Sequence, residues 1–309
     1  MTRPLNPFGL ALSALLALAA TLCSAGGALA GEAACWFEGG VVVVGAEVMG
    51  VAGDYILDTA TPHTQLADSQ AQTAGFTETA LVGEVRLAGI TVEARPVSVA
   101  VLDLRTGALP TPVAGVIGAD VLRGYVVDVS FAPCRVALRP AGQAPALRGR
   151  TTALPIAWVA GRPVVAAAVA DGPRAFAGAF APATGGDRAL RISDAYARAR
   201  GPPKARLKEL YPYGVLQPRL RAFSFAGRLS ENLRAGLVAA EDPALAGEIG
   251  APLLAQWRLR FDFPAGKLIL APARVSSSPR RSPREEESPR KRATALAPRP
   301  SNRCADPPP

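Results

Sequence analysis

The sequence predicts an all-β protein made of two similar units, and three observations lead there. Short apolar runs alternate with polar residues and end on Gly or Pro, the pattern of half-buried strands joined by tight turns. Apolar residues at helical spacing are scarce after residue 31. One segment also occurs twice. Gly118-Ala119 and Gly250-Ala251 stand 132 residues apart, and at that offset Leu122 meets Leu254, Tyr125 meets Trp257, Phe131 meets Phe263 and Leu138 meets Leu270. Two copies of a unit of about 110–130 residues point to two packed units rather than a solenoid, which needs more repeats. With 49% hydrophobic residues, each unit has the material for a core.

The chain opens on a targeting pattern. Arg3, an apolar run over 8–23 and the small-x-small site Ala28-Leu29-Ala30 make 1–30 a signal peptide, with Gly31 as the first mature residue. The run is shorter than the roughly 20 residues a spanning helix needs. No later stretch is apolar enough to span, and Leu22 before Cys23 argues against a lipoprotein cysteine. The mature protein is therefore expected to be periplasmic or secreted, with no stable membrane insertion.

The first unit, 31–143, begins with a valine-rich strand over 41–51. Next, Ile56-Leu57 ends abruptly on Asp58, Thr59 and Ala60. A carboxylate at the end of a buried strand is costly to desolvate unless hydrogen bonds or water hold it. Asp58 is thus a candidate for chemistry, the other reading being a turn aspartate. Residues 84–87 and 90–92 around Gly89 read as a hairpin, 96–104 as a further strand, and 105–112 as a Gly/Pro-rich loop. The repeated segment follows, with a turn at Pro133-Cys134.

In the second unit, 144–273, strands at 156–159 and 164–169 flank a turn at Gly161-Arg162-Pro163. Residues 193–200 read as a helix capped by Ser193. A hairpin is expected over 223–229 around Gly227, and the second repeat turns at Pro264-Ala265-Gly266. From 274 to 309 the chain is rich in Pro, Ser and Arg with little to bury, so this basic tail is expected to be disordered. From Val275 onward it holds eight basic and four acidic residues, so much of the formal net charge of +9 sits there.

Composition excludes several function classes. His63 is the only histidine, which rules out multi-histidine zinc sites, and neither a metal nor a cofactor is expected. There is no aromatic interleaving of basic residues and no nucleic-acid-binding motif. His63 reads as a loop residue and Asp262 as a structural one beside a turn.

The stretch Leu57-Asp58-Thr59-Ala60 followed some sixty residues later by Val116-Ile117-Gly118 resembles an aspartic peptidase of the pepsin and retropepsin type. Ile249-Gly250-Ala251-Pro252-Leu253-Leu254, Trp257, Phe261-Asp262-Phe263 and Gly266-Lys267-Leu268-Ile269-Leu270 resemble the lobe ending of exported bacterial members. The resemblance covers about 38–271 and implies two β-barrel-like lobes with a cleft between them. It implies two aspartates, one per lobe, that share one proton because like charges so close cannot both ionise. One activates a water and the other donates to the peptide carbonyl. It also implies threonines that hydrogen-bond across the interface, each followed by a glycine that leaves room for close backbone approach. First and last strands of a lobe share a sheet, which implies a bond between Cys35 and Cys134 in an oxidising compartment, with Cys304 left over.

The sequence departs from that pattern twice. In the second unit the stretch is Pro182-Ala183-Thr184-Gly185-Gly186, so Thr184 and Gly185 are present and Ala183 stands at the aspartate position. In the first unit Asp58 and Thr59 are present and Ala60 replaces the glycine. The expectation is an exported, monomeric, peptidase-like protein that binds peptides in the interlobe cleft with hydrolysis impaired. The alternative is an active endopeptidase in which Asp187, or Asp58 of a second chain, supplies the second acid.

Overall fold

The computed structural model describes residues 31–106, 109–171, 174–193, 219–238 and 242–273. The expected signal peptide, the basic tail with Cys304 and residues 194–200 of the expected helix lie outside them. The described residues form nineteen strands and four helices of four to six residues, the all-β architecture the sequence predicts.

Each unit builds its own barrel-like sheet, and the two use the same strand order. In the first, β2 (Val41–Val48), β3 (Val51–Leu57), β7 (Gly115–Ile117), β4 (Thr64–Ala67), β6 (Ile90–Ala100) and β5 (Ala80–Leu87) lie side by side, and β5 closes back on β2. In the second, the order is β12 (Arg162–Asp171), β13 (Arg174–Ala183), β17 (Leu245–Gly250), β14 (Leu190–Ser193), β16 (Arg228–Val238) and β15 (Arg219–Phe225), closed by β15 on β12. The short β11 (Ala157–Val159) adds to its edge. The parallel pairs also correspond: β3 with β7 and β4 with β6, β13 with β17 and β14 with β16.

The remaining strands join the units. β1 (Gly31–Glu38), β9 (Cys134–Arg139) and β8 (Val126–Phe131) from one side meet β18 (Trp257–Asp262), β19 (Lys267–Pro272) and β10 (Thr152–Pro155) from the other. The seam is β8 against β18, antiparallel, with Asp128 opposite Arg260. These two residues are 132 apart, the repeat offset, so a pseudo-twofold axis passes between them.

Turn chemistry explains the hairpins. Met49-Gly50, Ala88-Gly89, Ala160-Gly161 and Ala226-Gly227 each place two consecutive residues at positive φ, the two-residue turn whose twist matches paired strands. Met49-Gly50 also corrects the expectation of one strand over 41–51: the valines continue through a hairpin and return as β3. Residues 90–100 form one strand, and the expected strand over 96–104 stops at Ala100. Asp103–Thr106 then makes a helical turn where strand end and loop were expected. Ser193, the expected helix cap, is the last residue of strand β14.

Burial follows the pleat. Tyr55, Leu57 and Ile117 point into the first core, and Phe180, Phe223 and Ile249 into the second. Phe180 and Phe223 pack edge to face with centroids 5.5 Å apart. Cys35 on β1 and Cys134 on β9 are disulfide-bonded, as the resemblance implies.

Candidate functional site

Two turns meet where the barrels touch, residues 57–61 after β3 and residues 182–186 at the end of β13. Their threonines hold them together reciprocally. The Thr59 N–H donates to Thr184 Oγ1 (3.1 Å) and the Thr184 N–H to Thr59 Oγ1 (3.3 Å). Each hydroxyl then donates to a backbone carbonyl two residues ahead of the opposite threonine: Thr184 Oγ1 to Leu57 O at 2.7 Å, and Thr59 Oγ1 to Pro182 O. Both threonines are fully buried. Four hydrogen bonds therefore replace the water these groups lost, which is the condition for burying them.

This symmetry fixes the correspondence of neighbours. Thr59 and Thr184 are 125 residues apart, so Asp58 corresponds to Ala183 and Ala60 to Gly185. A Cβ at Gly185 would lie 2.6 Å from Asp58 Cβ, 2.7 Å from Ile56 Cγ2 and 2.9 Å from Arg105 Nη2, so this position has no room for a side chain. At the mirror position the facing residue is Ala183, and Ala60 packs against it together with Ala181, Val164 and Leu245. The two departures from the expected pattern therefore meet in one apolar cluster.

Asp58 is buried and its carboxylate is fully occupied. Oδ1 accepts from the Ala60 N–H (2.9 Å) and the Gly185 N–H (3.3 Å). Oδ2 accepts from the Thr61 hydroxyl (2.8 Å) and from the Arg105 guanidinium. Arg105 Nη1 also donates to Thr61 Oγ1 at 3.1 Å, which closes a ring of three side chains. An ionised carboxylate has about four acceptor positions, and four donors fill them. Burial pushes the Asp58 carboxyl up, but the Arg105 charge and the hydrogen bonds from Ala60, Thr61 and Arg105 outweigh it and hold it below the usual Asp value.

Arg105 is the residue sequence reasoning missed. It lies on the helical turn α2 (Asp103–Thr106; α1 is Asp68–Thr73), 47 residues from its partner, in a stretch that reads as loop. Glu248 was missed as well. It stands 132 residues after Val116, at a position expected to be apolar. Ile249 faces the core, so Glu248 faces the other side of β17, in register with Ala181 of the cluster around Ala183. Burial, then the charge of Asp58, raise the Glu248 carboxyl, while Arg191, Arg162 and Arg105 oppose the rise. Its closest cation is Arg191, at 3.5 Å. A polar residue in the hydrophobic pair ahead of Gly250 was the available signal.

Other expected residues fall as follows. Asp187 is half exposed and ion-pairs with Arg191. His63 is exposed in the bend after the Asp58 turn. Asp262 caps the hairpin turn by accepting from the Ala265 N–H at 3.1 Å, the structural role expected. Asp120 is buried at the start of α3 (Ala119–Leu122; α4 is Ala251–Leu254), where it accepts from Thr64 at 3.0 Å. Among the described residues no cluster of His, Cys, Asp and Glu could hold a metal ion.

No family model and no curated protein matches the chain by sequence. Among solved structures it is similar to an aspartic proteinase from Irpex lacteus, at 14% identity and a TM-score of 0.49, over 81% of this chain and 99% of that chain.

Proposed function

We propose that this protein is an exported, catalytically silenced relative of the aspartic peptidases that binds peptides in the cleft between its barrels. The observation that carries the reading is the occupied carboxylate of Asp58. General-base activation of water needs a free acceptor lone pair on the carboxylate. The four donors on Asp58 leave none, and Ala183 offers no second acid to share its proton. The intact threonine junction between the turns supports a binding role that does not need the chemistry. The signal-peptide pattern supports export, and a cleft within one chain supports a monomer that needs no second copy.

A casein-cleavage assay from acidic to neutral pH tests the silenced state, with Asp58→Asn as the blank. The expected result is no difference between the two proteins. Anisotropy of labelled peptides should show saturable binding that survives Asp58→Asn. Cleavage abolished by Asp58→Asn would overturn the proposal.

Hydrolysis is the second reading, and Glu248 favours it over the two rescues expected from sequence. The Glu248 carboxyl is raised by burial and then by the charge of Asp58, and Glu248 is in register with Ala181, two residues before Ala183. In that reading Glu248 donates the proton to the peptide carbonyl, and Arg105 must swing away when substrate enters. Activity lost in Glu248→Gln and kept in Asp187→Asn would establish it.

A further inference from the structure

We propose that a second site, on the far face of the sheet that joins the units, binds a small multivalent oxyanion. The pleat explains how it arises. On β18 and β8 the residues Leu259, Phe261, Val127 and Val129 point into the core, so Arg258, Arg260 and Asp128 point the other way. Arg135 and Arg139 on β9 share that polar face, and Glu32 stands on neighbouring β1. The strand-to-strand linker crosses above them at 145–148 and turns the face into a cavity of about 510 Å³. That volume falls in the range of small-molecule sites, roughly 300–1,000 Å³.

The charge balance of the cavity is unfinished. Five arginines line it against two carboxylates. Asp128 is consumed by a two-pronged pairing with Arg260 (2.6 and 2.8 Å) and a bond from Arg139 (3.0 Å). Glu32 takes Arg135 at 3.5 Å and Arg139 at 3.9 Å. Arg148 and Arg258 have no acidic partner among the described residues. The Arg258 Nε is buried without a hydrogen-bond acceptor, an arrangement that costs stability unless something supplies one. The excess of guanidinium charge around one cavity attracts anions, and the planar forks match the paired oxygens of carboxylate or phosphate. Asp128 and Arg260 form the floor at the seam between β8 and β18.

Calorimetric titration of the full mature chain at constant ionic strength tests the site. Pyrophosphate and citrate are the probes and acetate is the monovalent control. The expected result is saturable binding of pyrophosphate, citrate or both, little with acetate, and a raised melting temperature. Whichever binds better identifies phosphate or carboxylate as the natural chemistry. Arg258→Gln should weaken it about tenfold or more, the loss of one charge-assisted pair. Arg148→Gln, an exposed linker change that leaves the sheet intact, should weaken it less, and Asp58→Asn should leave it unchanged. No saturable heat from either probe at millimolar concentration would overturn the proposal. So would equal affinity in folded Arg148→Gln and Arg258→Gln proteins.

Discussion

The turns at 57–61 and 182–186 have the same backbone, the same threonine and the same place in a six-strand order, yet one is charged and the other apolar. The first presents Asp58 to Gly185, Thr61 and Arg105. The second presents Ala183 to Ala60, Val164 and Leu245. The junction between the barrels is thus carried by threonine hydroxyls and backbone groups, which are identical on both sides, and not by the carboxylates. The junction therefore does not depend on which side chains stand at 58 and 183. At the first turn the Asp58 carboxylate is paired with an arginine.

The largest expected effect concerns a clamp that the first unit has and the second lacks. Cys35 and Cys134 tie its first strand to its last across a sequence separation of 99. Losing that closure should cost about 4–5 kcal/mol in the chain-entropy model. Denaturant unfolding of a Cys35→Ser/Cys134→Ser protein measures it, and a loss below about 1 kcal/mol would mean that the β1 pairing alone holds the unit.

Arg105→Ala comes next, because it leaves the buried Asp58 without its counter-charge. Truncating one partner of a buried pair costs about 3–5 kcal/mol, and the backbone and Thr61 donors that remain place this case near the lower end, about 3 kcal/mol. The Asp58 carboxyl should titrate at higher pH in the variant, which NMR of the side-chain carbon reads directly. An unmoved titration would separate Arg105 from the site.

A smaller pair of substitutions sharpens the alanine–glycine exchange. Gly185→Ala drives a Cβ into Asp58 and should cost about 1–3 kcal/mol, as overpacking does. Ala60→Gly, at the mirror position, should cost only about 0.4–1 kcal/mol through the freer unfolded chain. Ala183→Asp should be destabilising in the native background and tolerated with Ala60→Gly, since position 60 must then clear a carboxylate. Acid-range cleavage of casein is expected only when Arg105→Ala is added to that double variant, which frees Asp58 to share a proton with the new acid. Cleavage in the double variant with Arg105 intact would show that the guanidinium leaves the site unaided.

The pH dependence is the gentlest test, and Asp58 pulls against Glu248 and Asp120. Asp58 is lowered, so its contribution is complete above the ordinary Asp value and is lost as pH falls through its folded-state value. Glu248 is raised, as is Asp120, chiefly by burial, so the folded form gains on the unfolded form as pH drops through their raised values. Stability should therefore rise on mild acidification and fall on strong acidification. Asp58→Asn should flatten the acid limb and Glu248→Gln the upper one, as read from denaturant midpoints across pH.

The sequence by itself determined the all-β class, the two-unit repeat and the turn that carries Asp58. These rest on signals a few residues long: alternation, glycines that allow positive φ, and a strand that ends on a carboxylate. The same offset of 132 separates Asp128 and Arg260, whose meeting at the seam only the structure shows. Thr59, Thr184 and Ala183 were legible too, because the second turn keeps the threonine and glycine of the first. The partners of Asp58 and Glu248 were decided only by the tertiary structure. Arg105 reaches Asp58 because β6 stops at Ala100 and the chain then coils into a single helical turn, a choice between strand and helix that short-range propensity leaves open. Glu248 comes into register with Ala181, two residues before Ala183, because β17 runs parallel to β13, in a register fixed by contacts far apart in the chain. The target of a charge at such range depends on which side chains the barrels bring within a few ångströms, and no local pattern encodes that distance.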